Sequence, residues 1–286
     1  MTGLSIDAYV RSCALRELAC IQKFSSYPGQ RGLFHGPNQY RPSKALKIRV
    51  LQDYLKVSGQ ILRKDAKLSE PSLWHPDLHT GNIFVDPSYP TKIVSIIDWQ
   101  AASIAPLFLQ VHRPGIVCFE GPMPEGLKQV PLPDGFDDMS EEQQRQANEL
   151  RAAQTLYQLY GVHMMKRSPE IAQALRFRET LAGSITRLAG GIFSGGESVL
   201  QAWLIRLQDE WPLIVDSSIP CPLSFTAKDR AEQQHAEKSW DTSVELMRQV
   251  LSEIGTYEGW NGATNHRDYN MYKERLPRCR DAARIF

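Results

Sequence analysis

The sequence predicts a mostly helical α+β chain with a single β-hairpin in its first third. Three observations predict it. Apolar residues recur at steps of three and four over most of the 286 residues. The period changes only between residues 82 and 97, where two short β-branched runs flank Asp86-Pro87-Ser88-Tyr89-Pro90. Stretches rich in Pro and Gly separate the periodic segments.

The first helix is predicted over 6–24, capped by Ser5, with Ile6, Val10, Cys13, Ile21 and Phe24 on one side. Residues 25–42 carry three prolines and three glycines and read as loop. Ser43 caps a second helix to about residue 64, with Leu46, Val50, Tyr54, Val57 and Ile61 as its apolar stripe. After the hairpin, residues 112–138 read as an extended connection. Ser140 and Gln143 form a capping box for a helix to about 165. Ser168-Pro169 opens the next helix, which Gly190-Gly191 ends. Further helices are expected over 197–210, from Thr226 to Gly255, and near 267–285 with an interruption at Pro277. The Gly-rich segment 189–196 lacks a following Lys and reads as a connector.

Composition narrows the function classes. At 42% hydrophobic and 23% charged residues, the chain can bury a sizeable core. A net charge of +1 gives no support for a nucleic-acid partner. No apolar run reaches the roughly 18 residues of a membrane span. The five cysteines form no C-x-x-C pair and read as reduced thiols of an intracellular protein. Asp7 and Glu17 speak against reading residues 1–24 as a transit peptide.

The chemistry concentrates in Leu73-Trp74-His75-Pro76-Asp77-Leu78-His79-Thr80-Gly81-Asn82 and in Ile96-Ile97-Asp98-Trp99. Phosphoryl transfer needs a carboxylate that orients the attacking hydroxyl and hard oxygen ligands for Mg²⁺. Asp77 and Asn82 bracket a short loop whose Gly81 permits a tight path. Residue 90 lies midway between 82 and 98, inside the turn, so an antiparallel hairpin is expected to place Asn82 close to Asp98, side by side across it. The plain structural reading is that Asp77 caps a turn, Asn82 satisfies loop backbone and Asp98 ends a strand. His79 is either a group near the phosphate or a solvated loop histidine. A third reading, a Zn²⁺ hydrolase on His75, Asp77 and His79, lacks a supporting cluster of further His or Cys residues. The acids Asp134, Asp137, Asp138, Glu141 and Glu142 either attract a cationic substrate or serve a helix N-terminus.

The motif H-x-D-x-x-x-x-N followed by Asp-Trp resembles the catalytic loop and metal-binding Asp of protein kinases, and more closely the aminoglycoside phosphotransferase (phosphotransferase enzyme) family. Residues 75–100, with the helical remainder and Cys221-Pro222-Leu223-Ser224-Phe225, look like a fungal branch related to altered inheritance of mitochondria protein 9. The resemblance implies a protein-kinase-like C-terminal lobe, 73–99 being its catalytic loop and hairpin and 139–286 its helical remainder. It implies ATP and Mg²⁺ as cofactors, a nucleotide and a small-molecule hydroxyl acceptor as partners, and a mitochondrial location. Asp77 would be the catalytic base, Asn82 and Asp98 the metal ligands, His75 a brace for the loop, and His79 a nucleotide-side residue. Two positions depart from these patterns. Pro76 stands where kinases carry Arg, so control by a phosphorylated activation loop is not expected. Leu109 stands where the family often has a second Asp beyond Asp-Trp. No G-x-G-x-x-G precedes His75, and the preceding segment reads as two helices and a loop, so the N-terminal lobe is expected to be absent. A non-catalytic binding module on the same scaffold is the competing expectation.

Overall fold

The computed structural model describes residues 5–25, 43–62, 66–256 and 264–283. The loop expected over 25–42 falls, beyond Ser25, outside the described residues. The molecule is mainly helical, with two two-stranded antiparallel sheets among the described residues. It divides into two compact units, one of residues 1–62 and 184–286, the other of residues 63–183. That is a finer division than the single lobe read from the sequence. No helix of the described residues is long and apolar enough to cross a membrane.

In the first unit, α1 (Ile6–Lys23) starts where the Ser5 hydroxyl accepts from the Ala8 amide at 3.2 Å. In α2 (Lys44–Ile61) the Ser43 hydroxyl accepts from the Leu46 amide at 3.3 Å. Each cap satisfies an amide that has no partner inside its helix. The two helices pack together, burying Val10, Ala14 and Ile21 with Val50, Leu51, Tyr54 and Val57. Helix α8 (Glu197–Asp209), followed by the short α9 (Trp211–Ile214), packs on α2 and on α10 (Ala227–Ile254), which in turn packs on α11 (Tyr269–Ala283). Helix α10 opens with a second capping box, Thr226 with Asp229, and closes on Gly255 at φ 84°. Pro277 lies within α11, which runs on as one helix where an interruption was expected.

A buried ion pair joins α2 to the start of α8. Lys47 Nζ lies 2.9 Å from Glu197 Oε2, both side chains are fully buried, and the same ammonium donates to the Ile192 carbonyl at 2.6 Å. Glu197 Oε1 also accepts from the Ser43 amide at 3.2 Å. The Gly-rich segment before α8 is a connector whose backbone is used twice, by Lys47 and by Glu17, which accepts from the Phe193 amide at 2.7 Å.

In the second unit, α3 (Ala66–Ser69) leads into β1 (Pro71–Trp74), β2 (Ile83–Asp86), β3 (Tyr89–Ile96) and β4 (Ser103–Pro106). Strands β2 and β3 form the expected hairpin. Strand β1 pairs with β4, Leu73 opposite Ile104 and Trp74 opposite Ser103, a sheet the sequence reading did not contain. The strands follow as nested hairpins, β1–β4 outside and β2–β3 inside. Helix α4 (Leu107–Gln110) follows β4, and the Gln110 amide donates to the carbonyls of Ser72 at 2.5 Å and Ala105 at 2.9 Å, tying the outer pair together. Beyond the connection, α5 (Glu141–Arg167) opens on the Ser140–Gln143 capping box. It packs on α6 (Pro169–Glu179), whose Phe177 ring meets Phe108 edge-on at 5.3 Å.

The helix expected to run from Pro169 to Gly190 is two. Thr180 leaves helical geometry at ψ 161°, and α7 (Leu181–Ala189) begins after it. The break turns Gly183 back against α6, with its amide donating to Thr180 Oγ1 at 3.1 Å. A Cβ on Gly183 would collide with the Phe177 carbonyl and stand 2.9 Å from Arg178 Cα. These are backbone atoms and cannot rotate away. Gly183→Ala is therefore expected to cost about 1–3 kcal/mol, the usual penalty of overpacking. Thermal denaturation checks this, and an unchanged Tm would show that the α6–α7 junction relaxes freely.

Candidate active site

The site occupies the two interruptions between the nested hairpins. One is the loop 75–82, between β1 and β2; the other is the turn 97–102, between β3 and β4. Because β1 pairs with β4 and β2 with β3, the two interruptions lie at the same level of the second unit.

His75 follows β1 directly and is 7% exposed. Its Nε2 lies 2.8 Å from the Ile97 carbonyl, and its Nδ1 is 3.2 Å from the Asp77 amide. A carbonyl only accepts and an amide N–H only donates, so the ring carries its hydrogen on Nε2. His75 thereby ties the loop to the turn and sets the backbone of Asp77. Trp99 completes this brace, its ring meeting His75 edge-on at 4.7 Å while its indole N–H donates to the Ile96 carbonyl at 2.9 Å. The sequence reading used Trp99 only as part of the Asp-Trp pattern and missed its contact with His75.

Asn82 is 6% exposed and ends a short 3₁₀ turn opened by His79. Its carboxamide nitrogen donates to the Asp77 carbonyl at 2.9 Å. Its backbone carbonyl accepts from the Ile97 amide at 3.0 Å. The hairpin register thus sets Asn82 opposite Ile97, one residue from the midpoint register, and Asp98 follows that pair directly in the chain. The turn is tighter than expected, Asp86 pairing with Tyr89, because Asp86 Oδ1 accepts from the Ser88 amide at 2.9 Å. Irregularities on the β3 side absorb the remaining residues. Asp98 then stands just past the paired residues, exposed, with φ at 64°. A non-glycine residue in the left-handed region is strained, and such positions cluster where a side chain is held for function.

Asp77 presents its carboxylate to solvent, its side chain being 71% exposed. His79 Nε2 is 3.6 Å from Asp77 Oδ2, while His79 Nδ1 accepts from the Gly81 amide at 3.1 Å. His79 is therefore placed beside the carboxylate of Asp77.

The oxygen donors suit a hard cation. With its nitrogen occupied by the Asp77 carbonyl, the Asn82 carboxamide keeps its oxygen available, and Asp98 adds a carboxylate. Mg²⁺ commonly takes one or two protein oxygens and completes its shell with water and phosphate. Zinc is a poor fit, since both ring nitrogens of His75 and one of His79 are already hydrogen-bonded. No group of three or more His, Cys, Asp or Glu side chains that could hold a metal occurs among the described residues.

Of the acids downstream, Glu141 and Glu142 lie in the first turn of helix α5. Asp137 and Asp138 lie in a 3₁₀ turn before it, and Glu142 pairs with Arg145 at 2.7 Å in its first turn.

Residues 27–111 match the family model described as the phosphotransferase enzyme family. A subtelomeric hrmA-associated cluster protein of Aspergillus fumigatus, found in two strains, is 30% identical over 255 residues. The alignment covers 88% of this chain and 49% of that relative, so the chain spans about half the length of the curated relatives it matches. No solved structure matches the chain. The segment that carries His75, Asp77, Asn82 and Asp98 thus matches a family of phosphotransferases.

Proposed function

We propose that the nested hairpins form the acceptor-activating and metal-holding half of an ATP-dependent phosphotransferase site, which transfers the γ-phosphate to the hydroxyl of a small molecule. The observation that carries this reading is the bridge from His75 to the Ile97 carbonyl, which binds the Asp77 loop to the Asp98 turn at 2.8 Å. In this reading Asp77 accepts the acceptor's proton as its oxygen attacks phosphorus and the bond to ADP breaks. His79 Nε2 steadies the Asp77 carboxylate. Asn82 Oδ1 and the Asp98 carboxylate would hold Mg²⁺. When bound there, Mg²⁺ neutralises charge on the transferring group. His75 and Trp99 position these groups without touching the substrate.

The test separates binding from transfer. Titration of the protein with Mg²⁺-ATP, followed by calorimetry, should show binding that requires the metal. Asp98→Ala should abolish that metal dependence. Metal-dependent nucleotide binding without transfer to any hydroxyl acceptor, in the full-length protein, would favour a non-catalytic binding module. Equal Mg²⁺-ATP affinity in wild type and Asp98→Ala would sink the metal assignment.

A further inference from the structure

A cavity of about 540 Å³ lies in the second unit between the proline-rich segment 122–133 and one face of α5. Its size falls within the range of small-molecule pockets, about 300–1,000 Å³. None of its lining residues belongs to the cluster around Asp77.

The cavity is built rather than incidental. Its floor is Ala147, Leu150, Arg151 and Gln154, which share a helix face by their spacing of three and four. Its opposite wall includes Met123, Val130 and Leu132. Glutamine amides latch this wall to the helix. Gln154 donates to the Pro122 carbonyl at 2.7 Å, and Gln158 to those of Gly126 at 3.0 Å and Lys128 at 2.9 Å. Gln144 holds the following turn through the Phe136 and Met139 carbonyls at 3.1 and 3.2 Å. The Gln154 latch is itself 6% exposed. These bonds fix the wall against the helix, since carbonyls of an irregular segment would otherwise need water.

The charges on the lining are unequal in their partners. Glu125 pairs with Lys128 at 3.1 Å. The Arg151 guanidinium, on the floor, has no hydrogen-bond or ion-pair partner among the described residues. An apolar pocket with one uncompensated guanidinium suits a molecule with an apolar body and a single carboxylate, because Arg binds carboxylates in a two-pronged geometry.

We infer that this pocket binds an amphipathic monocarboxylate, with its carboxylate on Arg151 and its apolar body between Leu150 and the 122–133 wall. The inference stands apart from the phosphotransferase reading, since it needs neither nucleotide nor turnover. The probes are octanoate, 1-octanol and octylammonium, each titrated into the protein by calorimetry and ligand-observed NMR. Octanoate is expected to bind saturably at one site, at least tenfold more tightly than octanol, with octylammonium weakest. Arg151→Gln should bring octanoate down to the affinity of octanol. Ala147→Phe should fill the floor and abolish binding of both. Should that variant fold poorly, Met123→Asp on the exposed rim should weaken octanoate without a change in Tm. Absence of saturable binding, equal affinities for octanoate and octanol, or octanoate binding indifferent to Arg151→Gln would each overturn the inference.

Discussion

Replacing Asp77 with Asn should slow phosphoryl transfer from Mg²⁺-ATP by about 10²–10⁴-fold, the usual contribution of a positioned general base. The loss is expected in the rate at saturating substrate, with Mg²⁺-ATP affinity little changed. The reason is geometric. The Asp77 carboxylate points outward from its loop, while the backbone of the same residue is held by His75 Nδ1 and by the Asn82 carboxamide. Asn is nearly isosteric and leaves both backbone bonds in place, so the substitution removes proton acceptance and spares the loop. His75→Ala is the complementary variant. It breaks the bridge to Ile97 and should impair Mg²⁺-ATP binding as well as rate, because the Asp98 turn loses its anchor. Single-turnover transfer by the full-length protein to a panel of hydroxyl acceptors measures both. A protein that transfers phosphate equally well with Asn at position 77 would remove Asp77 from the mechanism.

Glu197→Ala should destabilise the first unit by about 3–5 kcal/mol, the cost of leaving a buried charge without its partner. Lys47 sits in the first turn of α2, fully buried, and also donates to the Ile192 carbonyl. Removing the carboxylate takes the counter-charge from the buried ammonium and the acceptor from the Ser43 amide at the start of α2. The paired replacement Lys47→Met with Glu197→Leu removes both charges at similar volume and should recover most of the loss. Denaturant unfolding of the two variants checks this. A Glu197→Ala protein within 1 kcal/mol of wild type, on the scale about where exposed pairs fall, would show that water reaches Lys47.

The four helix starts were legible in the sequence because their information is local. Ser5, Ser43, Ser140 and Thr226 each accept a hydrogen bond from an amide three residues on, so residue type and position suffice. The local grouping of the candidate site residues was legible for a similar reason. His75, Asp77 and Asn82 are bound to one another within one loop, and the hairpin returns Asp98 after only one turn. Where a local signal was counted too coarsely, the reading slipped by one residue. The Asx turn at Asp86 and the irregular β3 strand decide the register, and neither shows in a midpoint.

What only the tertiary structure decided involves partners far apart in the chain. Four-residue strands such as β1 and β4 carry too few alternating positions to announce themselves, and they form because each is the other's hydrogen-bonding partner. A lysine in a helix looks solvated until a glutamate 150 residues away closes over it. Three glutamines on a long polar helix read as surface until the carbonyls of residues 122–139 are seen to need them. In each case the side chain alone leaves its hydrogen-bonding capacity open, and burial, a property of the folded chain and not of the residue, determines which distant group must satisfy it.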